Sequence, residues 1–449
     1  MKRFLLVAAT VLVGAVLAAP SLLGFSLWRL GDALAVATGM GAKLGCSAYF
    51  VSGHDPRQII EDLASYTPIN RRLTLDFGDN RVQASLFGLA PASATWRPGL
   101  GCTLDIGDTS ALDHLLVGAD RAGAAPGPTF AHAEEPALQA AVAALLAADQ
   151  AAGLQTRALL VLQDGKLAAE GYAEGFGPDS SLLGWSMGKS VLAILLGRME
   201  ALGLLPADPP TPLFAEWALD QRRAVTLEQL LQMTSGLDWD ETYAPGSDST
   251  RMLFQAHSAA GVAMASPLVH PSGTFFYYSS GTSNLLAQYL HDRLGGPQAQ
   301  LDFLHSALLQ PLGLQHTLLE MDAAGVLVGS SYVYSSARDW ARLGQLLLDG
   351  GRINGELLLP LDWVARATRP NSSDNDPRYG YQLWLNDGGD SLRWPDLPAD
   401  AYAMQGNRGQ VVMMVPSRDA VLVRLGWTAG DYPVSAGLAQ LLAALPAGA

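Results

Sequence analysis

The segment GWSMGK, residues 184–189, contains two overlapping patterns that both make Ser186 a nucleophile. Gly184, Ser186 and Gly188 match G-x-S-x-G, the sharp strand-to-helix turn of enzymes whose base is a histidine. Ser186 and Lys189 match S-x-x-K, in which the base is a lysine amine. The two patterns imply different folds and different substrates, so the rest of the chain must decide between them.

The G-x-S-x-G pattern would require the surroundings of an α/β-hydrolase. That fold places parallel strands before the nucleophile and a histidine near the end of the chain. Here the preceding residues GPDSSLLGW are typical of a loop, and no histidine follows His316. The sequence therefore disfavours this interpretation.

The S-x-x-K pattern fits its surroundings better. Ser186 would begin the helix MGKSVLAILLGRMEALGLLP, and Lys189 would lie one turn further on the same face. The N–H groups of the first helical turn favour a developing oxyanion beside Ser186. The helix is apolar around its circumference, so burial would lower the pKa of Lys189 and let its amine accept the serine proton. We expect Gly188 to keep space open beside the nucleophile.

Two further stretches strengthen this interpretation. VTLEQLLQMTSGLDWDETY (225–243) and HPSGTFFYYSSGTSNLLAQYL (270–290) resemble segments of the serine β-lactamase-related family. That family contains class C β-lactamases, DD-peptidases, carboxylesterases and 6-aminohexanoate-dimer hydrolase. The resemblance extends from about residue 137 to 445.

The resemblance implies a role for three side chains. Ser186 would be the acylated nucleophile, Lys189 the proton acceptor, and Tyr278 the group that passes a proton to the leaving group. Tyr277 is the rival to Tyr278, which could instead be one member of a core aromatic cluster.

Two family motifs are altered in this chain. Ser280 stands where the family has an asparagine, and Met404-Gln405-Gly406 stands where it has Lys-Thr-Gly or His-Thr-Gly. The family uses that missing cation to hold a substrate carboxylate, although Arg408 is near. The resemblance therefore implies esterase or amidase chemistry more than β-lactam hydrolysis.

The same alignment of motifs places further groups around the serine. The N–H of Asn407 would join the N–H of Ser186 as an oxyanion hole, and Gly406 would allow the close approach that this needs. We also assign Ser280, Gln405, Trp239 and Tyr243 to substrate binding, with a structural role for Trp239 and Tyr243 left open.

Composition excludes several other functions. The 449-residue chain is 49% hydrophobic with a net charge of −14, and its 28 basic residues form no long cluster, which argues against nucleic acid as a partner. The scattered histidines indicate no metal site. We expect no cofactor, while the oligomeric state is left open.

The N-terminus predicts export. Lys2 and Arg3 precede an uncharged apolar stretch, residues 4–28, that fits a cleaved signal peptide or a retained membrane anchor. Both alternatives place the remainder outside the cytoplasm, in the periplasm or secreted. In an exported chain, Cys46 and Cys102 suggest a disulfide, which would stabilise its module by roughly 4 kcal/mol.

We divide the chain into a signal or anchor (1–30), a small N-terminal module (31–117), a linker (118–136) and a hydrolase domain (137–446). The predicted fold of the last is α+β, an α/β sandwich in which terminal helices and a helical insert flank an antiparallel sheet. The predicted function is a serine hydrolase of a small ester, amide or peptide. The alternatives are a cell-wall DD-peptidase or β-lactamase, and a non-catalytic peptide-binding protein.

Overall fold

A computed structural model describes residues 27–117, 130–133, 135–206 and 208–446. The apolar stretch predicted to be a signal or anchor lies almost wholly outside the described residues, as does most of the predicted linker. Within the described ranges, no helix is long and apolar enough to cross a membrane.

The N-terminal module is a four-stranded antiparallel sheet covered by a long helix. Its elements are α1 (Leu30–Phe50), α2 (Pro56–Ala64), β1 (Leu73–Phe77), β2 (Arg81–Leu86), β3 (Leu89–Arg97) and β4 (Gly101–Leu104). Strands β1 and β2 pair as an antiparallel hairpin. Cys46 on α1 and Cys102 on β4 are joined by a disulfide in the module's core.

The second part is built around a six-stranded antiparallel sheet in the order β12-β13-β14-β15-β5-β6. A second, three-stranded sheet has the order β7-β9-β8. The strands are β5 (Thr156–Gln163), β6 (Lys166–Tyr172), β7 (Leu182–Leu183), β8 (Leu318–Leu319), β9 (Val333–Ser335), β10 (Arg352–Ile353), β11 (Glu356–Leu357), β12 (Trp384–Leu385), β13 (Tyr402–Gly406), β14 (Gln410–Val415) and β15 (Ala420–Gly426).

Helices cover both faces of the large sheet and form a lobe between its two halves. They are α3 (Pro136–Ala151), α4 (Met187–Ala201), α5 (Leu227–Leu231), α6 (Asp248–Phe254), α7 (Ala259–Met264), α8 (Ser280–Leu294), α9 (Pro297–Leu304), α10 (Gln310–Leu312), α11 (Ala337–Leu348), α12 (Trp363–Ala367) and α13 (Val434–Ala444). The first and last of these pack together on one face, while α4 and α11 pack on the other. The predicted α+β class is confirmed.

The predicted linker differs at its end. The chain at 131–133 pairs with β6, since Ala131 O accepts from the N–H of Leu167 and Ala133 N–H donates to the Leu167 carbonyl. Helix α3 already begins at Pro136. The linker was predicted from its high content of alanine, glycine and proline, and composition alone does not indicate that its end pairs with the edge of a sheet.

The module is docked on the hydrolase part through buried charges. Lys43 on α1 forms an ion pair with Glu320, and both side chains are almost inaccessible. Asp62 on α2 accepts a 2.5 Å hydrogen bond from Arg157 on β5. Burial lowers the pKa of Lys43, and the adjacent Glu320 opposes that shift. Apolar side chains of the module also belong to the core of the second part.

Candidate active site

A left-handed turn places Ser186 at the start of α4. Strand β7 ends at Leu183, and Trp185 has a φ of 49°, a conformation that non-glycine residues seldom adopt. Ser186 is the N-cap of the helix, and the N–H of Lys189 donates to the Ser186 carbonyl over 3.1 Å. The tight first turn brings the side chains of Ser186 and Lys189 to the same side.

The amino group of Lys189 lies between three oxygen atoms. Its Nζ is 2.9 Å from Ser186 Oγ, 3.0 Å from Ser280 Oγ and 3.0 Å from the carbonyl oxygen of Ser330. Only 1% of the lysine is exposed. Burial lowers its pKa to about 8, although Glu241 acts in the opposite direction. A substantial fraction of Lys189 can therefore be neutral near physiological pH.

Gly188 has a different role from the one we expected. A Cβ at this position would lie 2.7 Å from the carbonyl oxygen of Gly329 and 2.7 Å from Val333. The glycine thus lets α4 pack closely against the segment that carries the Ser330 carbonyl, and does not hold open space beside the nucleophile.

The end of β13 lies directly against the nucleophile segment. A Cβ on Gly406 would be 2.1 Å from the Gly184 carbonyl oxygen and 3.1 Å from the backbone nitrogen of Ser186. Within the described parts of the chain, no hydrogen-bond acceptor pairs with the Ser186 N–H. Asn407 follows at the strand end and is exposed. The backbone at 406–407 therefore lies beside the N–H of Ser186, as the predicted oxyanion hole of Ser186 and Asn407 requires.

Tyr278 lies beside the same lysine. The Lys189 Nζ is 4.9 Å from the centre of the Tyr278 ring, which stacks on Trp384 at 5.1 Å. Burial raises the pKa of Tyr278, and its interaction with the Ser186 hydroxyl only partly opposes this. Tyr278 is therefore a neutral hydroxyl near neutral pH. The rival Tyr277 is 42% exposed.

Glu241 also belongs to this cluster, although it is not part of the Ser, Lys and Tyr pattern from which the site was predicted. Its Oε1 accepts from Ser280 Oγ over 2.5 Å, and its Oε2 accepts from the Ser280 N–H over 2.8 Å. Trp239 Nε1 and Ser249 Oγ donate to the same carboxylate at 2.6 and 3.0 Å. Its signal in the sequence is its place within the family-like stretch DWDETY.

The remaining predicted binding residues differ in their exposure and in the contacts that they make. Tyr243 is at the edge of the site, 38% exposed, with its hydroxyl 3.1 Å from Glu241. Trp239 is buried, and its indole N–H donates a hydrogen bond to the Glu241 carboxylate. Gln405 lies on β13 and is partly exposed.

A buried apolar side chain, Met404, stands where the family has the cation that holds a substrate carboxylate. Met404 is fully buried among apolar side chains. Arg408 is 6% exposed, and its guanidinium stacks on Tyr66 at 3.7 Å and donates to the Thr428 carbonyl. Among the residues that the structure describes, no group of three or more potential metal ligands comes together.

The comparison with protein families agrees with this geometry. The model of the beta-lactamase family matches residues 138–445, more than half of the chain. The chain belongs to the beta-lactamase family. It shares 26% identity over 289 residues with the 6-aminohexanoate-dimer hydrolase of Paenarthrobacter ureafaciens, covering 60% of this chain and 72% of that protein. These matches identify a serine hydrolase.

Several solved structures share the fold. A putative 6-aminohexanoate-dimer hydrolase from Bacillus anthracis superposes with a TM-score of 0.59 at 18% identity, covering 71% of this chain and 87% of that one. A family VIII carboxylesterase gives a TM-score of 0.55 at 14% identity, covering 71% and 99%. A penicillin-binding protein homologue from Caulobacter crescentus gives 0.53 at 21%, covering 71% and 100%.

Proposed function

We propose that this beta-lactamase-family chain hydrolyses a small ester or amide through an acyl-enzyme on Ser186. The observation that carries the proposal is the 2.9 Å contact between Ser186 Oγ and a buried Lys189 whose pKa is about 8. A neutral amine at this distance can take the serine proton as the oxygen attacks.

Acylation would begin with transfer of the Ser186 proton to Lys189. Ser186 Oγ then forms a bond to the substrate carbonyl carbon, and the carbonyl oxygen becomes an oxyanion between the N–H groups of Ser186 and Asn407. The C–O or C–N bond breaks as Tyr278 gives its hydroxyl proton to the leaving group. The Lys189 ammonium returns a proton to Tyr278, so the alcohol or amine departs neutral.

Deacylation would reverse the same transfers with water as the nucleophile. Water loses a proton to the neutral base and attacks the ester carbonyl of the acyl-enzyme. The bond to Ser186 Oγ then breaks, and the serine recovers its proton from the Lys189 ammonium formed in the previous step. The products are the free acid and the resting enzyme, with no external oxidant, reductant or cofactor.

The binding groups favour esters and linear amides over β-lactams. A β-lactam carboxylate would need a cation, but Met404 is buried and Arg408 is engaged with Tyr66 and Thr428. Losing one charged hydrogen bond costs about 1.5–3 kcal/mol, or roughly 10–200-fold in kcat/KM. The named similarity to a 6-aminohexanoate-dimer hydrolase further supports a linear amide among the substrates.

A three-substrate comparison tests this assignment. We expect kcat/KM to be highest for a short-chain p-nitrophenyl ester, lower for an anilide and lowest for a chromogenic cephalosporin. Ser186→Ala is the control for background hydrolysis. Cephalosporin turnover equal to that of the ester would refute the substrate class and favour a β-lactamase.

We also propose that the enzyme works outside the cytoplasm, held at the membrane by residues 4–28 or released after cleavage of a signal. The apolar N-terminus and the two paired cysteines support this location. Fractionation followed by N-terminal mass analysis distinguishes an anchored from a cleaved chain. Recovery of the full-length protein in the cytoplasm with reduced cysteines would contradict the location.

A further inference from the structure

The hydrogen bonds around Ser280 have a fixed direction. A carboxylate can only accept, so the Ser280 hydroxyl must donate its proton to Glu241 Oε1, 2.5 Å away. The N–H of Ser280 donates to the other carboxylate oxygen. Glu241 is held in turn by the indole N–H of Trp239. The proton of Ser280 is therefore committed to Glu241.

Because Ser280 donates its proton to Glu241, its hydroxyl oxygen can only accept a hydrogen bond from Lys189. With its proton directed at Glu241, Ser280 Oγ presents only lone pairs to Lys189 Nζ at 3.0 Å. The Ser330 carbonyl, also at 3.0 Å, can likewise only accept. A neutral amine has two N–H bonds and one lone pair. Both N–H bonds are used, and the lone pair remains for Ser186 Oγ.

We propose that Glu241 is a positioning residue which acts through Ser280 to aim the lone pair of neutral Lys189 at the Ser186 hydroxyl. This inference rests on the proposed function, because it explains how the base of that reaction is oriented. Glu241 makes no contact with Ser186 in this arrangement, and its effect passes through one hydroxyl.

Replacing the carboxylate by an amide would undo the orientation. In Glu241→Gln, the amide NH₂ can donate to Ser280 Oγ, which frees the serine proton to point at Lys189. The lysine lone pair would then accept from Ser280, and an N–H would turn toward Ser186. The amine would be present but aimed in the wrong direction for proton transfer.

The same substitution also changes the pKa of Lys189, and this electrostatic effect favours activity whereas the misorientation lowers it. The two effects can therefore be measured separately. The Glu241 charge stabilises the ammonium form, so its loss lowers the pKa of Lys189 and increases the neutral fraction. Among the described residues, the other titratable groups that interact with Glu241 are tyrosines whose pKa values are all raised, chiefly by burial: Tyr243, Tyr277, Tyr278 and Tyr379. Lys189 is thus the group that changes charge near pH 8.

The experiment measures acylation of the full-length enzyme by a p-nitrophenyl ester at pH values below and above 8. For Glu241→Gln we expect the acid limb to move to lower pH while the plateau falls roughly 10–100-fold, as misorientation of a base does. Ser280→Ala should lower the plateau but keep the acid limb near that of the wild type, because the carboxylate remains.

Two control variants remove a similar hydroxyl or carboxylate whose hydrogen bond is made to a residue other than Lys189 or Ser280. Ser283→Ala removes another buried hydroxyl one turn along α8, where it donates to Gln382. Glu228→Gln neutralises a carboxylate that accepts from Tyr381. Both should leave plateau and acid limb unchanged. Active-site titration with a fluorophosphonate corrects every rate for the folded fraction.

Two outcomes overturn the inference. An unchanged plateau in Glu241→Gln would mean that the carboxylate acts on charge alone, and a lower plateau without a shift of the acid limb would mean a general structural loss. Both outcomes require a wild-type enzyme that is acylated on Ser186. Absence of wild-type acylation would instead refute the proposed function.

Discussion

Tyr66 of the N-terminal module lies face-on against the guanidinium of Arg408, with 3.7 Å between Arg408 Cζ and the ring centre. Arg408 directly follows Asn407 and has a φ of 65°. Tyr66 also packs edge-on against Trp185, the residue that precedes the nucleophile. One side chain of the module therefore supports both backbone segments that would bind the oxyanion.

The first prediction concerns this contact. Tyr66→Leu removes a cation–π interaction worth about 0.5–2 kcal/mol, so we expect kcat to fall roughly two- to tenfold with little change in KM. Steady-state kinetics and thermal unfolding check it. Tyr49→Leu is the control, since the ring contacts of Tyr49 among the described residues are with Phe50 and Phe77 of the module. An unchanged kcat for Tyr66→Leu would show that the module does not influence the site.

The second prediction is the pH dependence. Lys189 must be neutral to accept a proton, so log kcat/KM should rise with pH and level off above about 8. No alkaline decline should follow immediately, because burial raises the pKa of Tyr278. Lys189→Arg should lose roughly 10²–10⁴ in kcat, since guanidinium stays protonated. An active arginine variant would exclude Lys189 as the base.

The third prediction separates esters from amides. An amine leaving group must be protonated before the C–N bond breaks, whereas p-nitrophenolate leaves without help. Tyr278→Phe should therefore lower kcat/KM for an anilide much more than for a p-nitrophenyl ester. Tyr277→Phe serves as the matched control and should affect both substrates little. Equal losses on both substrates in Tyr278→Phe would argue against proton delivery.

The fourth prediction concerns the cysteines. Cys46 and Cys102 are buried together and bonded, so alkylation without reductant should modify neither in protein isolated from its native compartment. Mass analysis before and after reduction checks this. Modification of both thiols without reductant would show that the module folds with free cysteines.

Much of the hydrolase fold follows from local patterns in the sequence. Strands β5 and β6 are short apolar runs on either side of the turn residues Asp164 and Gly165, and β13, β14 and β15 are similar runs bounded by turn residues. Local patterns of this kind predict strands. Local patterns do not predict helix α1, because its glycines disfavour a helix in isolation. They are tolerated here since they let α1 pack against Phe254 and the module's own strands, which is a tertiary effect.

The site was only partly accessible to sequence reasoning. The spacing of Ser186 and Lys189 could be interpreted because one helical turn brings i and i+3 together. The roles of Glu241 and Ser330 could not be predicted, because both lie in separate segments of the chain. Ser330 contacts Lys189 only through a backbone carbonyl, and Glu241 is linked to Lys189 only through Ser280. Arg408 is near the site in sequence, but its packing on Tyr66 depends on a module far away along the chain.

The most direct test of the account is to trap the acyl-enzyme and locate it. Wild-type protein is mixed with a slowly deacylating p-nitrophenyl ester or a fluorophosphonate, quenched, digested and mapped by mass spectrometry. We predict one equivalent of label on the peptide containing Ser186, and none in Ser186→Ala or, over the same time, in Lys189→Met. Label on Ser280 or on any other residue, or no label on the folded wild type, would contradict the central claim.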